Sequence, residues 1–232
     1  QRHFDLRCSR LTRESNETGG WVITLHEITQ VKQREQILQQ LHTKTATIIN
    51  QSDRSSICSA AVNAITDVLS IAEVGVYCYN RREEALIPAD TTEAFDQLWN
   101  TDQAERQSAK SLLWAVYISN TNIRITDRRE LQRVFPDEGD SLNSAILLPL
   151  GSHGILVIPE VSTRAIGEIE TNFAQLLSTS IETALDRARR EQGLKTVQNV
   201  SRDVLTAKTT DEMAEVVLSQ LPEALDFPLA AI

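Results

Sequence analysis

A chain of 232 residues with 41% hydrophobic and 24% charged residues has the composition of a globular protein of one or two domains, long enough for a sizeable core. Its net charge of −9 argues against nonspecific DNA binding, because phosphates demand a basic face. The longest apolar run, 145–150, contains Pro149, so no stretch predicts a membrane span, and a membrane segment upstream stays open.

Residues 3–28 predict a β-hairpin. Phe4, Leu6 and Cys8 alternate with polar neighbours, Gly19-Gly20 closes a polar stretch, and Trp21, Ile23 and Leu25 alternate on the return. A lone hairpin is marginally stable, so more sheet is expected before Gln1. Thr29 is placed to cap a helix over 30–50. There Val31, Arg34, Leu38, Leu41, Thr45 and Ile48 step by three and four, a stripe that fits a face packed on its own domain and a dimer seam equally. Asp53 can cap a second helix over 54–70, with Ile57, Ala61, Ile65, Val68 and Leu69 on one face.

Strands follow. Val74, Val76 and Cys78 alternate with Gly75, Tyr77 and Tyr79, and the polar turn 80–84 leads to Leu86-Ile87 in an antiparallel hairpin. Residues 89–103 read as irregular. A helix over 104–119, a short strand at Ile123 and Ile125, and a charged loop over 126–140 come next. A second hairpin pairs 144–150 with 155–161 around Gly151-Ser152-His153-Gly154. A helix over 165–190 then carries Ile169, Phe173, Leu176, Leu177 and Ile181 at helical spacing, and is expected to run on. The order predicts an α+β fold: a central antiparallel sheet flanked by helices, these on one face, with long connecting helices.

One pattern occurs twice. At an offset of 156 residues Ile57 meets Met213, Ile65 meets Leu221, Leu69 meets Leu225 and Val76 meets Ile232, while Leu38 meets Leu194 and Leu41 meets Val197. Asp53 falls opposite Thr209, which forms a capping box with Glu212. That offset is domain-sized, so tandem copies of one domain are expected, the second cut short. The chain therefore reads as a fragment.

Residues 37–190 resemble a GAF domain, through Leu112-Leu113-Trp114 leading to Ile123-Arg124-Ile125-Thr126-Asp127, and through Leu147-Leu148-Pro149-Leu150 with its glycine-turn partner. Residues 1–29 are similar to the end of a PAS domain: Glu27-Ile28-Thr29 stands where such domains exit, usually through Asp-Ile-Thr, into a signalling helix, here 30–50. Residues 191–232 resemble the start of a second GAF domain. The style is similar to archaeal multi-domain sensors, including sensor histidine kinases and bacterio-opsin-activator-like regulators. The resemblance implies a cytoplasmic segment of signal transduction that relays a ligand- or dimer-induced change through its helices. A kinase or a DNA-binding output would lie outside it.

No catalytic residue is assigned. His42 lies on a predicted helix without the acidic and proline-containing surroundings of a phospho-accepting histidine, and no G-x-G pair cradles ATP. His3, His26 and His153 lack metal-ligand spacing, though His3 and His26 are placed to face each other across the first hairpin. Cys8, Cys58 and Cys78 include no C-x-x-C, so reduced thiols are expected, with Cys58 and Cys78 buried and unreactive. They match neither bilin attachment nor methionine sulfoxide reduction in GAF domains. No metal and no cofactor are expected. The resemblance implies a cavity between the sheet and 89–140, and Tyr77, Tyr79, Trp99, Trp114 and Tyr117 are placed either to line it or to fill the core. Asp127 reads as a turn or cap residue. The expected partners are a small-molecule ligand and a second copy, in a homodimer through the connecting helices.

Overall fold

The computed structural model describes residues 2–12, 18–98, 105–106, 111–135, 141–161, 166–206 and 209. The chain divides into two compact units, Gln1–Lys44 and Thr45–Ile232. In the first, β1 (Phe4–Thr12) and β2 (Thr18–Glu27) form the hairpin that the alternation predicts. Leu6 stands opposite Leu25 and Cys8 opposite Ile23. His26 lies opposite Asp5 and the His3 carbonyl accepts from the Ile28 N–H, so the two histidines do not face each other.

Helix α1 (Thr29–Ile49) starts one residue early. The Ile28 carbonyl takes the Lys32 N–H, and Thr29, inside the helix, accepts from the His3 N–H at 2.9 Å and donates to Glu27 at 3.1 Å. Its hydroxyl ties the ends of the hairpin instead of capping the helix. Along the expected stripe Val31 and Leu38 are exposed, whereas Ile48, within the second unit, is fully buried.

In the second unit α2 (Arg54–Leu69) is capped as expected: the Asp53 carboxylate accepts from the Ser56 N–H at 2.9 Å. Its strands are β3 (Gly75–Asn80), β4 (Ala85–Thr91), β5 (Glu105–Arg106), β6 (Ile123–Ile125), β7 (Leu142–Pro149) and β8 (Gly154–Val161). Among the described residues these form one antiparallel sheet in the order β5-β4-β3-β8-β7-β6.

Helices cover both faces of the sheet, not one. Helix α2 packs with α6 (Glu168–Thr206), and Cys58 of α2 meets Cys78 of β3. The opposite face carries α3 (Glu93–Leu98), α4 (Leu112–Ser119) and α5 (Arg128–Val134). There Phe95, Leu113 and Leu131 share a core with Tyr77, Leu147, Ile155 and Val157. Successive strand residues point to opposite faces, so β3, β7 and β8 are buried on both.

Three segments differ from expectation, and local capping explains two. Helix α3 lies in the supposedly irregular 89–103, where the Thr92 hydroxyl accepts from the Phe95 N–H. Helix α5 lies in the supposed loop 126–140, because Asp127 accepts from the N–H groups of Arg129 and Glu130 at 2.8 and 3.2 Å. Asp127 is thus the cap its position suggested. Helix α4 starts at Leu112 under a Ser111 cap, since the strand pairing of Glu105–Arg106 with β4 takes residues assigned to a longer helix.

Helix α6 passes residue 190 without a break and continues to Thr206. The second capped helix and the strand of the expected repeat lie outside the described residues. None of the described helices is long and apolar enough to cross a membrane.

Candidate functional site

The aromatic residues separate into two groups. Tyr77 is fully buried in the core, its ring 6.3 Å from that of Phe95. Two residues along β3, Tyr79 points to the same face and meets Trp114 and Tyr117, one turn apart on α4. The three ring centroids lie 5.2 to 5.8 Å apart, with Trp114 edge-on to both tyrosines. Contacts of this kind add about 0.5–1.5 kcal/mol each to the area they bury. Trp99 lies outside the described residues.

Tyr79 and Tyr117 line a cavity of about 220 Å³ at the end of the sheet. Its floor comes from the turn between β7 and β8. Gly151, at φ +56°, and Gly154 let the chain reverse within Leu150–Gly154, closed by the Leu150 N–H to the Gly154 carbonyl at 2.8 Å. The turn presents the Ser152 carbonyl, which accepts from the Tyr117 hydroxyl at 3.1 Å, and His153, whose Nε2 lies 2.8 Å from the Asp186 carboxylate. Arg54, first residue of α2, donates to the carbonyls of Tyr79 (2.9 Å) and His153 (3.3 Å), stitching β3 to the turn. Arg81 flanks the cavity from the β3–β4 turn, and Leu185, Ala188, Arg189 and Gln192 wall it from α6.

Burial, and then the neighbouring Tyr79, push the Tyr117 phenol above its ordinary value, while Arg81, Arg189 and Arg54 pull the other way. Tyr117 is therefore a neutral donor at physiological pH. Behind Arg54 lie the thiols of Cys58 and Cys78, 3.7 Å apart and buried. The sequence placed each in the interior separately; the structure puts them in contact. The hydrogen bond from Cys58, helped by Arg54, holds Cys78 down to about 7 against its burial. That same bond and then burial push Cys58 far above the ordinary thiol range. A guanidinium favours the thiolate, so its removal must raise the first ionisation of the pair. Arg54→Gln is expected to shift it upward by about one pH unit, read from thiolate ultraviolet absorbance against pH.

Reading residue types along the chain did not single out Arg54, Arg81 or Arg189. Each comes from a different element and looks, in its own stretch, like a solvated surface arginine. His153 was noted only for lacking metal-ligand spacing.

No family model and no curated protein sequence matches the chain. Solved structures do. The GAF domain of a phosphoenolpyruvate-protein phosphotransferase from Acinetobacter is 14% identical, over 66% of this chain and 94% of its own, with a TM-score of 0.55. Residues 122 to 287 of a methyl-accepting chemotaxis protein are 12% identical over 64% of this chain and 98% of their own, with a TM-score of 0.53. A far-red-absorbing dark state with bound biliverdin IXa is 15% identical over 64% and 98%, with a TM-score of 0.51. The fold is that of GAF domains, α+β with an antiparallel sheet flanked by helices.

Proposed function

We propose that this chain is a sensory segment in which the GAF-fold module, 37–190, takes up a small-molecule signal or rearranges within a homodimer, and passes the change along its helices. One observation carries the reading. Helix α6 is buried on the module as far as Ala188, and the same unbroken helix continues to Thr206 with Leu194, Val197 and Leu205 exposed and Val200 buried. A change of packing at the module moves the exposed part with it, as a rigid element shifts between two arrangements. Leu194 and Val197, three residues apart, offer an apolar seam to a second copy. The chemotaxis protein of like fold agrees with a signalling role.

In this reading 1–29 is the end of a PAS domain, 30–50 a signalling helix, and 191–232 the start of a second GAF domain. The parent is cytoplasmic in this part, and its output is a histidine kinase or a DNA-binding region. Tyr79, Trp114 and Tyr117 belong to the ligand site, with Tyr77 supporting them from the core and Trp99 assigned to the same wall.

Fusing the chain after Ile232 to a reporter kinase whose activity depends on helix phase tests the relay. A heptad inserted between Arg190 and Leu194 keeps the exposed face in register and is expected to preserve the response. A half-turn insertion is expected to abolish or invert it. Equal responses to both insertions would sink the reading.

A further inference from the structure

We propose that the cavity between Arg54, Arg81 and Arg189 is a phosphoryl-binding site for a small phosphorylated metabolite, with the Tyr79 and Tyr117 rings against the body of the ligand. The clause of the function above that this inference rests on is the ligand-sensing one, which it narrows to a chemical class and a place.

Charge is the first argument. The chain carries 32 acidic and 23 basic residues, yet among the described residues the cavity wall holds three arginines and no carboxylate. They arrive from three separate elements: the start of α2, the turn after β3, and α6. An acidic protein does not gather three guanidiniums around one hollow by average composition. Asp186, on α6, faces the His153 ring. Arg54 donates one amino group to two carbonyls and forms no ion pair among the described residues, so a charged donor is held in place at the cavity. All three guanidiniums are close enough to the Tyr117 hydroxyl to act on its ionisation.

Geometry is the second. A guanidinium presents a planar fork of donors that matches phosphate oxygens, and such charge-assisted bonds are roughly twice as strong as neutral ones. The volume of about 220 Å³ corresponds to about seven waters at their liquid share. That admits a phosphoryl group with a body of a few carbons. The rings of Tyr79 and Tyr117, tilted 38° to each other with centroids 5.2 Å apart, supply the apolar side against which such a body packs.

Position is the third. The ligand would bridge Arg54 and Arg81 on one side to Arg189 and Gln192 on the other, and the latter pair sits where α6 leaves the module. Occupancy thereby loads the helix that the relay requires.

Calorimetric titration of the full chain at low ionic strength, with inorganic phosphate and with glycerol phosphate, tests the site. Saturable one-site binding is expected, weakening as salt is raised. Arg81→Gln and Arg189→Gln are each expected to weaken it about tenfold, the loss of one charge-assisted contact. Both side chains project from a turn or a helix surface, so these variants are expected to fold. Tighter binding of the ester identifies a phosphorylated metabolite; equal binding identifies free phosphate and overturns the metabolite assignment. No saturable heat from either probe, or unchanged affinity in both variants, overturns the site itself. Hydrogen exchange of 190–206 during the same titration separates the two ideas: binding that leaves those amides unchanged upholds the site and sinks its coupling to the relay.

Discussion

Gly154→Ala is expected to cost about 4 kcal/mol or more and to lower the melting temperature by about 12 °C in a thermal scan. Two facts set the size. Gly154 sits at φ +153°, where an L side chain is strained, and a Cβ there would lie 1.9 Å from the Tyr77 carbonyl oxygen and 2.8 Å from the Cys78 Cα. Both contacts are backbone of β3, with Gly154 paired opposite Cys78, so relief requires the two central strands to part. The damage reaches the cavity too, since the same residue closes the turn that presents Ser152 and His153. Gly167→Ala is the control. Its Cβ would meet only the end of the Glu170 side chain, at 2.7 Å, and that chain can swing aside. A stability change within about 0.5 kcal/mol is expected there. Equal effects of the two substitutions would show that the close approach of β3 and β8 is not what sets the cost.

The second large effect lies at the other end of the sheet. Glu160 is 4% exposed, and its carboxylate accepts from Arg124 at 3.0 Å, from the Ile166 N–H at 2.8 Å and from the Ser144 hydroxyl. Arg124 also donates to the Ile166 carbonyl at 3.1 Å. The cluster joins β6, β7 and β8 to the start of the segment leading into α6. Arg124→Met leaves a buried carboxylate without its cation, and is expected to cost about 3 kcal/mol in urea denaturation. Adding Glu160→Leu removes the charge that had been stranded, so the double variant is expected to recover most of that loss. Additive losses in the cycle would mean that the pair does not interact as described.

The elements legible in the sequence are those with strong periodicity or an explicit cap. The alternation of Trp21, Ile23 and Leu25 marked β2, Asp53 marked the start of α2, and the apolar spacing from Phe173 to Ile181 marked α6. Short helices were harder. Helices α3 and α5 span about two turns each and show too few apolar residues for a period, and only the hydroxyl of Thr92 and the carboxylate of Asp127 define where they start. The second helical layer escaped notice for a related reason. Strands buried on both faces lose alternation, and β7 and β8 read simply as apolar runs.

The site was legible in half. Aromatic residues are scarce, so Tyr79, Trp114 and Tyr117 drew attention, and they do meet. Nothing in the sequence separates the core position of Tyr77 from that of Tyr79, two residues on. The arginines belong to the class that composition hides most completely. Convergence of Arg54, Arg81 and Arg189 depends on the sheet order β4-β3-β8 and on the packing of α6 against α2, neither of which can be read from local spacing.

The length of α6 has a mechanical consequence. From Gln192, at the rim of the cavity, to Thr206 the helix extends about 21 Å at 1.5 Å per residue. A lever of that reach magnifies what happens at its fulcrum: a tilt of about 5°, from a side-chain adjustment near Arg189, carries the tip about 2 Å, the scale of helix displacements in known switching transitions. Bending stiffness, together with the contacts that bury Val200, would then govern how faithfully the motion arrives.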